Sequence, residues 1–88
     1  MASVTGVTLY PNPSTGEVIV DLDGYVGRTV QLEVFNTLGQ PVKSILLPQL
    51  ESTQIKLDLS TYHEGIYLIR IQSEGIPVIT RRLMLHTH

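Results

Sequence analysis

Tyr10-Pro11-Asn12-Pro13-Ser14-Thr15-Gly16 runs directly into Glu17-Val18-Ile19-Val20-Asp21-Leu22-Asp23, and this stretch decides the fold. Each proline beside Asn12 fixes φ and removes a backbone donor, which excludes a helix and a central strand. Pro11, Asn12 and Pro13 are therefore a rigid bend at the edge of a sheet, and Ser14, Thr15 and Gly16 favour a turn after it. The residues that follow alternate strictly. Val18, Val20 and Leu22 fall on one face, while Glu17, Asp21 and Asp23 fall on the other, the period of two that marks a half-buried strand. Ile19 is the one apolar residue on the wet face.

Outward from this stretch the same pattern repeats. Val7 to Leu9 reads as a short first strand. Asp23-Gly24 and Gly27 bracket a loop in which Tyr25 and Val26 fold back over the end of the core. From Thr29 to Asn36, Val30, Leu32 and Val34 point inward and Gln31 and Glu33 outward. Asn36-Thr37-Leu38-Gly39 then forms a hairpin connection with Gly39 in a left-handed conformation. Gln40 to Leu47 is the returning strand, and Pro41 near its start marks an edge or first-residue position. Thr53 to Leu59 alternates again, with Ile55, Leu57 and Leu59 inward. Ser60 is expected to accept backbone hydrogen bonds and cap a single helical turn before Gly65. Gly65 opens what reads as the longest strand, to Ser73, with Tyr67, Ile69 and Ile71 on one face. Pro77 to Leu85 is the last strand, and its irregular alternation around Arg81-Arg82 predicts a bulge there.

Seven short strands at close spacing predict an all-β, immunoglobulin-like antiparallel sandwich of two sheets packed face to face. Glu64-Gly65-Ile66-Tyr67-Leu68-Ile69 resembles the corner before the sixth strand of immunoglobulin-like domains. On that resemblance Tyr67 bonds back across the corner and Ile69 stands where a cysteine often sits. The expected state is a monomer with edges open to strand association.

Composition narrows function further. The chain of 88 residues is one small domain, and folding at this size buries about 60–65% of the extended chain's surface. A formal charge of −2 gives no general attraction for a polyanion, so nucleic acid is not an expected partner. Cysteine is absent, which excludes disulfides and thiolate zinc sites. No apolar run approaches the roughly 20 residues of a membrane span. Residues 1–6 read as an added start or linker remnant, 7–85 as the domain, and 86–88 as a tail.

Four segments carry a further resemblance: Leu9 to Gly16, Val34 to Val42, Leu57-Asp58-Leu59-Ser60, and Gly65 to Ile71. In this order they resemble the type A C-terminal sorting domain of the type IX secretion system of Bacteroidota. The likeness extends from about Val7 to Leu85. It implies a secretion signal rather than an enzyme, with no cofactor. It also implies a cargo that reaches the periplasm and is led through the outer membrane by this domain to the cell surface or the medium. The implied partners are the outer-membrane translocon and a sortase-like cysteine peptidase, which removes the domain. The family's sorting information lies towards its C-terminal end, which corresponds here to Arg81, Arg82, Leu83, Met84 and Leu85. Pro11, Asn12, Pro13, Gly16, Asn36, Gly39, Gly65 and Tyr67 are the motif residues expected to shape the fold. His86-Thr87-His88 departs from the family habit of stopping soon after the basic-apolar strand.

Other chemistries are weaker readings of the same residues. Asp21 and Asp23 share a strand face and suggest a calcium site or a carboxylate pair, yet neighbouring aspartates on a wet face are usually only solvated. Asp58, Ser60 and His63 contain triad residue types, but three residues on one tight turn rarely converge as nucleophile, base and orienter. His86 and His88 have chelating spacing without a third ligand. The alternative function is an immunoglobulin-like accessory module that binds carbohydrate or a neighbouring domain of a secreted enzyme. It would rest on Phe35 and Tyr62 as exposed aromatics, since tryptophan is absent.

Overall fold

A computed structural model describes residues 6–86. The expectations for residues 1–5 and for Thr87 and His88 lie outside the described residues. Seven strands follow in chain order: β1 (Thr8–Tyr10), β2 (Glu17–Asp21), β3 (Val30–Phe35), β4 (Pro41–Leu47), β5 (Gln54–Asp58), β6 (Gly65–Ser73) and β7 (Ile76–Leu85). They form two antiparallel sheets, one in the order β1-β2-β5 and the other β4-β3-β6-β7. The sheets pack as an immunoglobulin-like sandwich, as the strand pattern requires.

The period of two explains the core. Val18, Val20 and Leu57 face inward from the first sheet, and Val30, Leu32, Val34, Ile69, Ile71 and Leu83 from the second, all fully buried. Leu22, Tyr25 and Leu50 close one end. Each such aliphatic side chain stabilises the fold by about 1.5–3 kcal/mol relative to exposure. β4 begins at Pro41 and lies at a sheet edge, so the proline breaks no ladder.

The hairpin between β3 and β4 is held by Asn36. Its Oδ1 accepts from the amides of Leu38 (2.9 Å) and Gln40 (3.0 Å), its carbonyl accepts from Gly39 N–H (3.0 Å), and Gly39 takes φ +82°. Tyr67 closes the corner before β6, donating its hydroxyl to the carbonyl of His63 at 2.7 Å while Ile69 sits fully buried behind it.

Five local expectations are corrected. Several strands are a residue or two shorter than their alternation suggests. β2 ends at Asp21, and one further in-register bond follows it, from Leu22 N–H to the carbonyl of Thr53, 2.6 Å away, with the Leu22 side chain in the core. Tyr25 is buried as expected, but Val26 is 53% exposed, since the turn closed by Arg28 N–H on Tyr25 O faces the two side chains apart. Ser60 is a donor rather than a cap acceptor. Its amide and hydroxyl both bond Asp58 Oδ1 (3.0 and 2.6 Å) in a turn closed by Tyr62 N–H on Leu59 O. These two bonds hold the Asp58 carboxyl below the usual aspartate range. β7, with ten residues, is the longest strand, exceeding β6 with nine. Finally, β7 is in register through Arg81 and Arg82, and the bulge lies upstream, where Pro77 and Val78 together face Gln72. The uneven pattern at Arg81 has another cause. Arg81 occupies a core-side phase of an edge strand, so its guanidinium can leave the sandwich, where Nε donates to the carbonyl of Val7 at 3.1 Å.

Among the described residues, Tyr25 Oη is a buried side-chain oxygen with no hydrogen-bond partner. Burial pushes its pKa above the ordinary phenol value, against the opposing fields of Arg81 and Arg28. A hydroxyl that has lost water and gained nothing costs stability, so Tyr25→Phe is expected to leave the urea midpoint unchanged or to raise stability by up to about 1 kcal/mol. A loss of similar size would show that the hydroxyl is bonded in solution.

Candidate functional site

The residues singled out for recognition divide by strand phase. Leu83 and Leu85 are buried, at 0% and 2% exposure, and belong to the core. Arg82 and Met84 face outward, Arg82 beside Leu68 and Met84 beside Ile66 on β6. Arg81 remains exposed but is tied to the start of β1 through Val7.

The Pro-Asn-Pro bend is packed on this same strand. Asn12 Nδ2 donates to the carbonyl of Arg82 at 2.8 Å, and Asn12 Oδ1 accepts from Met84 N–H at 3.0 Å. Ser14 continues the contact: its amide donates to Met84 O (2.9 Å) and its carbonyl accepts from His86 N–H (2.8 Å), which makes a parallel bridge beside Leu85. The peptide bonds Tyr10-Pro11 and Asn12-Pro13 are both cis. Ser14 is 1% exposed, and its hydroxyl donates to Glu17 O and accepts from Gly16 N–H. Gly16, at φ +139°, packs against Ser60. Two motifs distant in the chain, the bend and the last strand, are thus one structure.

Across the outer face of the larger sheet, Phe35, Leu68 and Arg82 lie side by side in register. The Arg70 guanidinium stands 4.8 Å over the Phe35 ring and donates to Glu33 Oε1 at 2.6 and 3.2 Å. Here the ion pair and the cation–π contact share one partly buried side chain. A shallow depression of about 240 Å³ lies among Phe35, Gly39, Leu68, Arg70 and Thr80. Sequence reasoning did not single out Leu68, although an apolar residue out of phase with Tyr67, Ile69 and Ile71 is the available signal. No comparable signal existed for the reach of Asn12.

The aromatics of the alternative reading are engaged. Tyr62 donates its hydroxyl to Val42 O at 2.9 Å and packs on Tyr67 with ring centroids 6.0 Å apart, while Phe35 is covered by Arg70. Ser60 Oγ is committed to Asp58. Among the described residues no three His, Cys, Asp or Glu side chains cluster as metal ligands, and no helix is long and apolar enough to cross a membrane.

These features define a class: an immunoglobulin-like sandwich with an exposed basic-apolar row on its last strand, braced by a Pro-Asn-Pro bend. Residues 8–86 match the family model described as the secretion system C-terminal sorting domain, and the chain belongs to that family. It is a sorting signal of the type IX secretion system. It interacts with that system's machinery and marks a protein for the cell surface or the extracellular space. The accessory-module alternative is not favoured. A comparison with curated proteins gave no match.

Proposed function

We propose that the translocon in the outer membrane reads this domain as a folded sandwich in the periplasm. Recognition falls on the outward side chains of β7, Arg82 and Met84, with Arg81 at the strand's rim. Leu83 and Leu85 hold the strand in place from inside. After passage, a sortase-like cysteine peptidase removes the domain, and the cargo stays at the surface or is released. The observation that supports this most directly is the alternation along β7, which presents a guanidinium and an apolar thioether outward from a strand anchored by two buried leucines. Such a row offers charge steering and apolar contact together.

A reporter fused ahead of Val7 to His88 is expected to leave a type IX-competent cell and to remain in the periplasm when the translocon is deleted. Equal export from both strains would overturn the proposal.

A further inference from the structure

β7 is the last strand of its sheet, and an edge strand presents a row of unpaired N–H and C=O groups that templates strand addition. The even-numbered positions Thr80, Arg82, Met84 and His86 direct their backbone groups to that outer edge, as the bonds at Arg82, Met84 and His86 demonstrate. From the Arg82 carbonyl to the His86 amide the edge is filled. Asn12 supplies a donor and an acceptor from its side-chain amide, and Ser14 supplies a donor and an acceptor from its backbone, so the bend imitates a neighbouring strand. Among the described residues no strand lies alongside Thr80, and only the Arg81 guanidinium approaches its carbonyl, at 3.4 Å.

We infer that Pro11 to Ser14 is a strap that occupies the downstream outer edge of β7 and keeps that edge from pairing with β7 of a second copy of this chain. The covered segment is suited to self-pairing. An antiparallel register centred on Leu83 sets Arg82 opposite Met84 and Thr80 opposite His86 of the other copy, so no arginine faces an arginine, and the outward groups at Arg82 and Met84 pair reciprocally. Prolines on either side of Asn12 make the strap itself a poor template for further strands, because neither offers an N–H. The inference concerns the isolated domain and stands apart from the export reading.

Amide hydrogen exchange of the unaltered chain is the first test. The Met84 and His86 amides are expected to exchange on the order of tenfold or more slowly than the Thr80 amide, which shares their edge but lacks a strap partner. Equal exchange at the three would overturn the strap. Asn12→Ala then removes both side-chain bonds. At low concentration its Met84 amide is expected to exchange about tenfold faster than in the unaltered chain. At high concentration sedimentation velocity should show a dimer, with Met84 protection recovered. Asn12→Asp keeps the acceptor facing Met84 N–H but sets a carboxylate oxygen against the Arg82 carbonyl, so its Met84 protection should fall between those of the unaltered chain and Asn12→Ala. An Asn12→Ala protein that stays monomeric with Met84 exposed would remove the second copy as the occupant, and one with Met84 still protected would remove the strap.

Discussion

Leu83→Ala is expected to lower unfolding free energy by about 2–5 kcal/mol, whereas Arg82→Ala, one residue away, should stay within about 0.5 kcal/mol of the original. Leu83 is fully buried opposite Tyr67, so truncation leaves a cavity between the sheets at the tyrosine corner. Arg82 is exposed and donates no side-chain bond among those described, so its removal costs the fold little. A domain of this size has only about 5–15 kcal/mol in total, so the first change consumes a large part of it. Urea midpoints with matched m-values measure both, and a Leu83→Ala protein as stable as the original would contradict the placement of Leu83. The contrast bears directly on export. Deleting Thr80 to His88 would strip Leu83, Leu85 and the strap's partner strand together, so lost export would report only an unfolded domain. Arg82→Ala and Met84→Ala keep the core, and loss of export in those variants would isolate recognition from folding.

The sandwich was legible in the sequence because burial and strand period are the same signal. Val18-Ile19-Val20, Val30 to Val34 and Tyr67 to Ile71 each announce which face is dry, and all three are buried as their alternation says. The turn at Asn36 to Gly39 was legible too, since Asn side chains fold onto their own backbone and glycine accepts positive φ. Long-range polar contacts left no such trace. Asn12 lies 70 and 72 positions from the residues it bonds, and nothing in the local pattern of Pro-Asn-Pro names Arg82 or Met84 as partners. Arg81 misled for a related reason. Its core-side phase looked like a fault in register, while the true bulge sits at Pro77-Val78, where an edge strand tolerates a residue without an N–H. Ser60 was read as an acceptor from its residue type, but the carboxylate of Asp58, two positions before it, is the stronger acceptor and turns the hydroxyl into a donor.

Gly16→Ala carries the other large effect, a loss of about 2–4 kcal/mol, and it has two sources that can be separated. The first is conformational: φ is +139°, a region L-residues avoid. The second is steric. A Cβ at this position would lie 2.9 Å from Ser60 Cα and 3.0 Å from Ser60 Cβ, and neither atom is free to move aside. Ser60 is fixed by two bonds to Asp58, and the Gly16 carbonyl is fixed on the other side by Leu59 N–H at 2.7 Å. Gly27 provides the control, because it also has positive φ, +88°, with open space around it. Gly27→Ala should therefore show only the conformational cost, about 1–2 kcal/mol. Equal losses in the two variants would mean that the contact with Ser60 contributes nothing. Gly16 also lies between the Ser14 hydroxyl and the turn after β5, so pushing it away from Ser60 displaces Ser14. Ser14 in turn holds Met84 and His86 at the edge of the last strand. Gly16→Ala should thus accelerate amide exchange at Met84 and His86 more than at Thr80, whereas Gly27→Ala should leave the ratio among the three unchanged.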